Sequence, residues 1–442
     1  MFIPDKNKFH KAEEIFRAGV AAADPCKLVR RSISLSGSIL SIDEESCDLD
    51  CFERIFLLGA GKACDLMGRG VEEAIGDRLT GGVVIVPDGS GSADAPIPRI
   101  AAAHPIPDKK GIRAAEELIS IARSAGSNDL VIVLLSGGGS ALLSALEVGI
   151  SLEDLRGVTE TLLKCGASIG ELNAIRKHLS RVKGGGLARL LYPARVITLI
   201  LSDVVGDDPA VIASGPTAPD SSTFRDCLNI LDRYEIRELV PDRIVKRLEE
   251  GRADMISETP DGSDPVFRKV RNVVIGNNRI ALIGAAEKAR KLGRKTVILS
   301  DRIIGDTRRA AKIHCALAAA VLRPRAKQPV CLLSGGETTV SVKGRGQGGR
   351  NTEFVLACAR EISGRHGITI LSGGTDGIDA HTSAAGAICD GTTIARGELL
   401  GLEAGEFLDR NDSYTYFNSL GDLLITGATG TNVMDLRVIL ID

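Results

Sequence analysis

The chain has 442 residues, with 55 basic and 57 acidic side chains and a formal net charge of −2. This length fits about three domains of roughly 150 residues, or two larger ones. A near-neutral chain lacks the basic surplus that binds nucleic acids and anionic membrane surfaces, so we expect neither as a partner.

The cysteine pattern and the hydropathy pattern both indicate a cytoplasmic protein. The ten cysteines are scattered without C-x-x-C pairs, so we expect reduced thiols rather than a disulfide framework. Residues Met1 to His10 are polar and charged, and no run of 18 apolar residues occurs, which argues against a targeting segment or a membrane span. The sequence is compatible with a monomer or a homodimer.

The first half alternates predicted strands and helices after an opening helical stretch from Lys6 to Ser32. Apolar runs predict strands at Arg54–Leu58, Gly82–Val86, Asp129–Leu135 and Val196–Leu201, with helices at Gly111–Ala125, Ser151–Cys165 and Ile169–Arg181. Such alternation predicts a Rossmann-like α/β domain with a mostly parallel sheet that helices cover on both faces. A polar stretch from Ala218 to Pro265 predicts the boundary, with a first domain over residues 1–240 and a connecting segment over 241–265.

A second α/β domain is predicted over residues 266–442. Strands are expected at Arg271–Ile275, Thr296–Leu299, Val330–Leu333, Thr339–Val342, Ile368–Leu371, Asp422–Ile425 and Leu436–Ile441, with helices at Arg279–Leu292, Asp306–Leu322 and Asn351–Ile362. We therefore expect two α/β domains with an interdomain cleft.

The first glycine-rich turn, Gly59-Ala60-Gly61-Lys62, joins a predicted strand to the start of a helix, where free N–H groups favour an anion. Two familiar motifs nevertheless fail. A nucleotide-binding P-loop would need glycine at Phe56 and a hydroxyl residue at Ala63, and a dinucleotide fingerprint would need glycine at Cys64. A tight turn with a solvated lysine remains the alternative.

Two further segments of the first half can bind anions. The segment Ser136-Gly137-Gly138-Gly139-Ser140 follows a buried strand, and its consecutive glycines allow an anion-binding nest or merely close helix packing. Asn173, Arg176 and Lys177 lie within one helical turn, so they can face one ligand or form a solvated basic face.

In the segment from Ser202 to Asp208, carboxylates after a strand can reach a metal ion or a substrate hydroxyl, or simply cap a turn.

Three glycine-rich, charge-bearing segments lie in the second half: Gly335 to Val340, Gly344 to Asn351, and Gly373 to Asp379. The first and the last follow apolar runs, which predicts a site at the C-terminal ends of strands. So many charged glycine turns after strands are hard to explain by packing alone. Phosphoryl transfer needs such parts, namely amides for phosphates, Lys and Arg for developing charge, and carboxylates for a metal and a base.

The order of the motifs resembles that of the glycerate 2-kinase family, whose C-terminal half is called the MOFRL domain. The matching motifs run from about Phe9 to Asp442, and are GAGKA, SGGGSAL, NAIRKHLSRVKGGGLA, LSDVVGDDP, SGPT, GGETTV, GRGQGGRN, GTDGIDA and TGATGTNV. The resemblance implies an enzyme that uses ATP and a divalent metal, Mg²⁺, to phosphorylate the small molecule D-glycerate to 2-phosphoglycerate. Some members of the family carry the name hydroxypyruvate reductase, so an NAD(P)H-dependent reductase is the alternative.

The resemblance also assigns roles by motif position. The catalytic residues would be Lys62, Asp207, Glu337, Arg350 and Asp376, of which Asp207, Glu337 and Asp376 would serve the metal and the substrate hydroxyl. The ATP phosphates would lie near Gly59, Gly61, Ser136, Gly137, Gly138, Gly139 and Ser140, and the substrate would contact Asn173, Arg176, Lys177 and Arg350. The chain departs from the family pattern at Thr352, usually Gln, at Ala380-His381, usually Gly-Pro, and at Ala428, usually Pro. None of these changes removes a charged group with an assigned role.

Overall fold

The computed structural model describes residues 4–322 and 328–442 and divides into two compact units. One unit is Pro25–Ile275, and the other combines Met1–Asp24 with Gly276–Asp442. This division differs from the predicted one at both ends. Helix α1 (Lys6–Ala22) groups with the C-terminal half, and the predicted connection over 241–265 is part of the unit that precedes it.

Apolar burial explains why α1 groups with the C-terminal half. Its buried residues Phe9, Ile15 and Phe16 share one core with Leu282 and Leu436 of that half. The predicted helical stretch from Lys6 to Ser32 consists of two helices, and the first ends at Ala22. Pro25 follows three residues later, and proline disfavours a helical backbone at the residue before it and cannot donate a helical hydrogen bond.

The unit Pro25–Ile275 contains nine helices and nine strands within the described residues. The helices are α2 (Pro25–Ser32), α3 (Cys64–Ile75), α4 (Lys109–Ser124), α5 (Gly139–Leu142), α6 (Leu152–Lys164), α7 (Ile169–His178), α8 (Gly186–Leu191), α9 (Phe224–Arg233) and α10 (Asp242–Arg252). The strands are β1 (Ile33–Ser36), β2 (Ile39–Ile42), β3 (Glu45–Asp48), β4 (Arg54–Ala60), β5 (Gly81–Pro87), β6 (Arg99–Ala102), β7 (Asp129–Ser136), β8 (Arg195–Leu201) and β9 (Val270–Gly276).

The main sheet of this unit has the order β6-β5-β4-β7-β8-β9. Its β6–β5, β5–β4, β4–β7 and β7–β8 pairs are all parallel. Every residue of β7 is buried, as expected for a strand that helices cover on both sides. The predicted Rossmann-like α/β fold is confirmed, and the carboxyl ends of its parallel strands meet at one edge.

Two elements of this unit differ from the sequence-based expectation. A three-stranded antiparallel meander, β1-β2-β3, precedes the main sheet, although no strands were predicted there. Strand β9 was predicted in the second domain, but it forms the edge of the first sheet. Its Val270 and Val274 pack against the core of that sheet, and Asn272 donates to the backbone oxygen of Thr217 at 2.9 Å.

The C-terminal half contains six helices and six strands within the described residues. The helices are α11 (Asn278–Lys291), α12 (Thr307–Leu322), α13 (Arg350–Glu361), α14 (Thr393–Leu399), α15 (Ala404–Asp409) and α16 (Ser413–Leu420). The strands are β10 (Lys295–Asp306), β11 (Val330–Thr339), β12 (Ile368–Gly374), β13 (Gly386–Asp390), β14 (Leu423–Leu424) and β15 (Asp435–Ile441).

The second sheet is mixed, with the order β10-β11-β15-β12-β13-β14. Strand β15 runs antiparallel to both of its neighbours, β11 and β12. The carboxyl ends of β11 and β12 therefore lie at the same edge as the start of β15. Helices α1 and α11 form one hydrophobic core with the sheet, and helices α12, α13 and α16 form another.

Strand β11 is longer than the sequence indicated. The segment Gly335–Thr338 was predicted as a turn before a separate strand from Thr339 to Val342, but β11 continues through it to Thr339. The reason is a long partner strand, because Ile303 to Asp306 of β10 pair with Gly336 to Thr339. A Cβ on Gly336 would lie 2.4 Å from the backbone of Ile303, so this close pairing requires glycine.

Among residues 4–322 and 328–442, no helix is both long enough and apolar enough to cross a bilayer.

Candidate active site

The glycine turns after β4 and β7 lie against each other at the carboxyl edge of the parallel sheet. The Lys62 N–H donates to the oxygen of Gly137 at 2.9 Å, and the Ala63 N–H donates to Ser136 Oγ at 3.0 Å. A Cβ on Gly61 would lie 2.1 Å from Ser136 Oγ, so only glycine allows this approach. The two predicted phosphate-binding turns are thus one structure.

These contacts change the roles that Ser136 and Gly137 can have. The side chain of Ser136 is buried and accepts the Ala63 N–H. The amides of Lys62 and Ala63, at the start of α3, are occupied by the neighbouring turn. The Ser136 hydroxyl and the Gly137 carbonyl oxygen therefore brace the turn that carries Lys62.

Lys62 lies beside Gly138 together with a histidine that sequence reasoning missed. A Cβ on Gly138 would be 3.1 Å from Lys62 Cγ and 3.0 Å from the ring of His104. His104 follows β6, at the same carboxyl edge of the sheet. The backbone of Gly138 is left-handed with φ of 82°, and the bare glycine leaves room for both side chains.

A hydroxyl network links the second half of the glycine segment to α7. The hydroxyl oxygens of Ser140 and Ser214 are 2.8 Å apart, and Ser214 donates to Asn173 Oδ1 at 3.4 Å. Ala213 and Ser214 both have left-handed backbone, with φ of 51° and 62°. Such conformations cost free energy for residues with a side chain and cluster at functional sites. In the sequence, Ser214 is the first residue of the SGPT motif.

The predicted substrate-binding residues on α7 do not all have the same environment. Lys177 Nζ forms a buried ion pair with Asp220 Oδ1 at 3.1 Å, so a structural partner already holds its charge. Arg176 is half-buried, and burial lowers its pKa from the ordinary value. Asn173 thus lies in a hydrogen-bond network with Ser140 and Ser214, whereas Lys177 forms an ion pair with Asp220.

Asp207 lies in the loop after β8, the next strand along the parallel sheet. Its backbone is left-handed with φ of 59°, a conformation that aspartate tolerates better than most residues. Its N–H donates to the oxygen of Val204 at 3.1 Å, which closes a tight turn. The carboxylate is partly exposed at the edge where the glycine turns end.

In the C-terminal half, Arg350 begins helix α13 and is held by two carboxylates. Its Nε lies 2.8 and 3.0 Å from the oxygens of Asp435, and its Nη1 lies 2.8 Å from Glu337 Oε1. Burial acts to lower the pKa of Arg350, but Asp435 and Glu337 raise it well above its ordinary value. The guanidinium is therefore fixed and permanently charged.

Asp435, which sequence reasoning missed, organises this half of the site. It is the first residue of β15 and pairs with Gly336 of β11 on one side and with Gly374 of β12 on the other. Its fully buried carboxylate also accepts Asn351 Nδ2 at 2.9 Å and Arg437 Nη2 at 3.2 Å. A usable signal existed, since Asp435 and Arg437 interrupt the apolar final strand two residues after the TGATGTNV motif.

Comparisons with known proteins identify the family of the chain and related structures. Residues 11–249 match the family described as Domain of unknown function (DUF4147), and residues 330–435 match the MOFRL family. The D-glycerate 2-kinase of Thermotoga maritima is 38% identical, with 100% of both chains covered. A crystal structure of glycerate kinase from the same organism has a TM-score of 0.85 at 36% identity, covering 99% of this chain and 100% of that one.

The chain belongs to the glycerate 2-kinase family. It is accordingly an enzyme and a kinase. A relative from Agrobacterium vitis, 41% identical over 88% of this chain and 99% of its own, is named a putative hydroxypyruvate reductase.

One departure from the usual glycerate 2-kinase pattern has a clear structural place. Thr352 Oγ1 donates to Asp379 Oδ2 at 2.8 Å and accepts the Ser413 hydroxyl at 2.9 Å. Asp379 is itself buried and caps α13 by accepting the backbone N–H groups of Asn351 and Thr352 at 3.0 and 2.8 Å. Burial raises the pKa of Asp379, and these hydrogen bonds oppose the rise. Threonine therefore supports the helix end that carries Arg350.

The other predicted acidic residue of this half, Asp376, lies in the turn after β12. Its Oδ1 accepts the Ile378 N–H at 3.2 Å, and its backbone oxygen accepts the Thr429 N–H at 3.3 Å. The Thr429 hydroxyl also donates to the oxygen of Thr375 at 2.6 Å. The TGATGTNV segment therefore braces the Asp376 turn, although Ala428 replaces the usual proline.

A preformed metal cage is absent from the described ranges, because no three His, Cys, Asp or Glu side chains lie close enough to hold an ion together. Within the C-terminal half, Glu337 is already engaged by Arg350. Magnesium is often held by one or two carboxylates plus the phosphates of the substrate, and the donor set here fits only that weaker mode.

Proposed function

We propose that this enzyme transfers the γ-phosphoryl group of ATP to the C2 hydroxyl of D-glycerate, giving 2-phosphoglycerate and ADP. The observation that carries the proposal is the fixing of Arg350 by Asp435 and Glu337 beside the ends of β11 and β12. Phosphoryl transfer is catalysed chiefly by positioning and by electrostatic stabilisation. A permanently charged guanidinium, anchored before the substrate arrives, supplies both.

The proposal gives each charged residue a separate task. Lys62, on the braced glycine turn, neutralises charge on the transferring phosphoryl group, and Arg350 neutralises the anionic charge that develops beside it. Asp207 is the candidate to accept the proton of the substrate hydroxyl, because it is partly exposed at the carboxyl edge of the sheet. In this proposal the ATP phosphates lie near Gly138, Gly139 and Ser140, since Ser136 and Gly137 serve the turn itself.

Magnesium would enter with the nucleotide, because the described residues offer no cage of their own. Asp376 is the carboxylate that could add a ligand to it. The ion would supply charge neutralisation on the phosphates.

The choice of the C2 hydroxyl follows from how a small acid is held. Glycerate has one carboxylate and two hydroxyls, and the carboxylate is the group that a cation binds. If the basic residues on α7 hold the carboxylate, the adjacent C2 hydroxyl is closer to the catalytic base than the terminal C3 hydroxyl. The product is then 2-phosphoglycerate rather than 3-phosphoglycerate.

A coupled assay tests the reaction and its position. The protein is incubated with ATP, Mg²⁺ and D-glycerate in the presence of enolase, pyruvate kinase and lactate dehydrogenase, without phosphoglycerate mutase. Consumption of NADH is expected, because enolase acts directly on 2-phosphoglycerate. A signal that requires added mutase would identify 3-phosphoglycerate and refute the C2 assignment.

The reductase alternative is favoured only by the name of the Agrobacterium vitis relative. The start of α3, where a dinucleotide pyrophosphate would bind in a Rossmann-like fold, has its Lys62 and Ala63 amides occupied by the neighbouring turn. NADH oxidation with hydroxypyruvate alone, together with no ATP-dependent turnover of glycerate, would favour the reductase over the kinase.

A further inference from the structure

The strained turn at Ser214 holds a further segment beside the hydroxyl network of Ser140 and Asn173. The Gly184 N–H donates to the oxygen of Ser214 at 2.9 Å, and the Gly185 N–H donates to the oxygen of Gly215 at 2.7 Å. These bonds anchor Lys183, the residue before them, at the same place.

Lys183 is a buried cation with very little compensation. Its side chain is only 4% exposed, and its Nζ donates to the backbone oxygen of Leu143 at 3.1 Å. An ammonium group has three N–H donors, and within the described part of the chain only this one bond is formed. No carboxylate among the described residues contacts it.

A second cation without a counter-ion acts on Lys183. The charge of Arg176 lowers the pKa of Lys183, and burial lowers it more, to about 7. Arg176 itself forms no hydrogen bond or ion pair with any described residue, in contrast to Lys177, which Asp220 neutralises. Ser140, Asn173 and Ser214 supply neutral polar groups to this network. A Cβ on Gly184, the residue after Lys183, would lie 2.9 Å from Asp220 Oδ2, but Lys177 neutralises that carboxylate.

Two cations that repel each other beside neutral donors are costly in the empty protein, since a buried charge is stable only when it is paired. An oxyanion placed between them would remove this cost and would fill the unused donors of both. We therefore expect the two cationic side chains to serve anion binding rather than the stability of the fold.

We propose that Lys183, together with Arg176, binds the carboxylate of the small hydroxy-acid substrate. A consequence is that Lys183 takes up a proton as the anion binds. The identity of the acid rests on the proposed function, whereas the two-cation site rests on the contacts above. Lys183 thereby replaces Lys177 in the predicted substrate-binding set. A nucleotide phosphate is the other oxyanion that the same chemistry could bind, and the test separates the two.

Isothermal titration of the full chain with D-glycerate alone, in buffers of different ionisation enthalpy, measures both the affinity and the protons taken up. Proton uptake should be near zero at pH 5.5 and should approach one at pH 8.5, because the empty-site lysine loses its proton over that range. Lys183→Met should remove the uptake and raise the Kd about 10- to 100-fold, the loss expected for hydrogen bonds to a charged group. Arg176→Met should also weaken binding at least about 10-fold by the same reasoning.

Lys164→Met is the matched control, since it removes one positive charge from an exposed lysine of the same unit. It should leave the Kd and the proton uptake unchanged. A wild-type Kd in Lys183→Met or Arg176→Met, or proton uptake that persists in Lys183→Met, would overturn the proposal. If Lys183→Met does not fold, the Kd of Arg176→Met and the pH dependence of proton uptake in the wild type test the proposal instead. An unchanged Kd or an uptake that does not vary with pH would overturn it.

Titration with a non-hydrolysable ATP analogue distinguishes the other source of the anion. Lys183→Met should leave its Kd unchanged, and a loss confined to the analogue would assign the site to phosphate and overturn the proposal. If the wild type ignores D-glycerate but binds another small hydroxy acid through Lys183, the site stands and the proposed substrate fails.

Discussion

The substitution Asp435→Asn tests whether one buried carboxylate holds the catalytic arginine. Asparagine has the same shape but no charge, and it places an N–H donor where a carboxylate oxygen now accepts from arginine. In the native protein that carboxylate accepts from Arg350 at 2.8 and 3.0 Å and from Arg437 at 3.2 Å. Removing it leaves both cations without their buried partner.

The magnitude follows from burial. Asp435 and Arg437 are both fully buried, and removing one member of a buried ion pair costs about 3–5 kcal/mol of unfolding free energy. Arg437 has little other support, because its Nε and Nη1 lack hydrogen-bond partners among the described residues. Apart from Asp435, the guanidinium has a 3.3 Å hydrogen bond from Nη2 to Thr338 Oγ1 and lies over the Phe354 ring at 5.0 Å. Arg350 would also shift, and a displacement of about 1 Å can lower turnover about 100-fold.

Glu337→Gln is the control, since it removes the second carboxylate from the same arginine. The Glu337 side chain is 45% exposed, and exposed ion pairs contribute about 0–1 kcal/mol. Urea unfolding followed by far-ultraviolet circular dichroism suits a chain without tryptophan, and kcat is measured in the coupled assay. The expected result is a large loss of stability and turnover for Asp435→Asn and a stability loss below about 1 kcal/mol for Glu337→Gln.

Equal loss of stability in the two variants would refute the reasoning, because it would mean that burial does not set the strength of the Arg350 contacts. An Asp435→Asn variant with native stability and native kcat would remove Asp435 from both roles.

Three further predictions concern the unit Pro25–Ile275. Lys62→Ala should lower kcat by about 100-fold or more with an unchanged melting curve, and near-normal kcat would exclude Lys62 from the transition state. Lys177→Met should lower the free energy of unfolding in urea by about 3–5 kcal/mol, because Asp220 stays buried without its partner. A second substitution, Asp220→Asn, should recover part of that loss. An unchanged free energy of unfolding in Lys177→Met would contradict the ion pair. Burial acts to lower the pKa of His178, but hydrogen bonds, including one to Glu258, raise it to about 10. The stabilisation by protonated His178 is therefore complete below the ordinary histidine pKa of about 6.5 and is lost as pH rises towards 10. The urea midpoint should fall over that pH window in the wild type and should fall less in Glu258→Gln. Equal slopes of urea midpoint against pH in the two proteins would disprove the assignment.

Local sequence features were sufficient to predict the four central strands of the first sheet, β5, β4, β7 and β8, and the positions of the glycine-rich segments. The apolar run of β7 is continuous, and a strand buried on both faces leaves no room for polar alternation. The glycines after β4, β7, β11 and β12 were visible because only glycine permits such close backbone contacts. Lys62, Arg350 and Asp376 were predicted as site residues because they lie in the glycine-rich motifs of the family that the sequence resembles.

Tertiary structure alone decided which charged residues are partners. Asp435 is separated by 85 positions from Arg350, and it lies between the two glycine turns only because β15 pairs with both β11 and β12. Lys177 and Lys183 both look like available cations in the sequence, yet Asp220 neutralises the first and nothing in the described residues neutralises the second. Residues distant in sequence meet only after sheet register and helix packing are set, and short-range patterns in a sequence carry no record of that register.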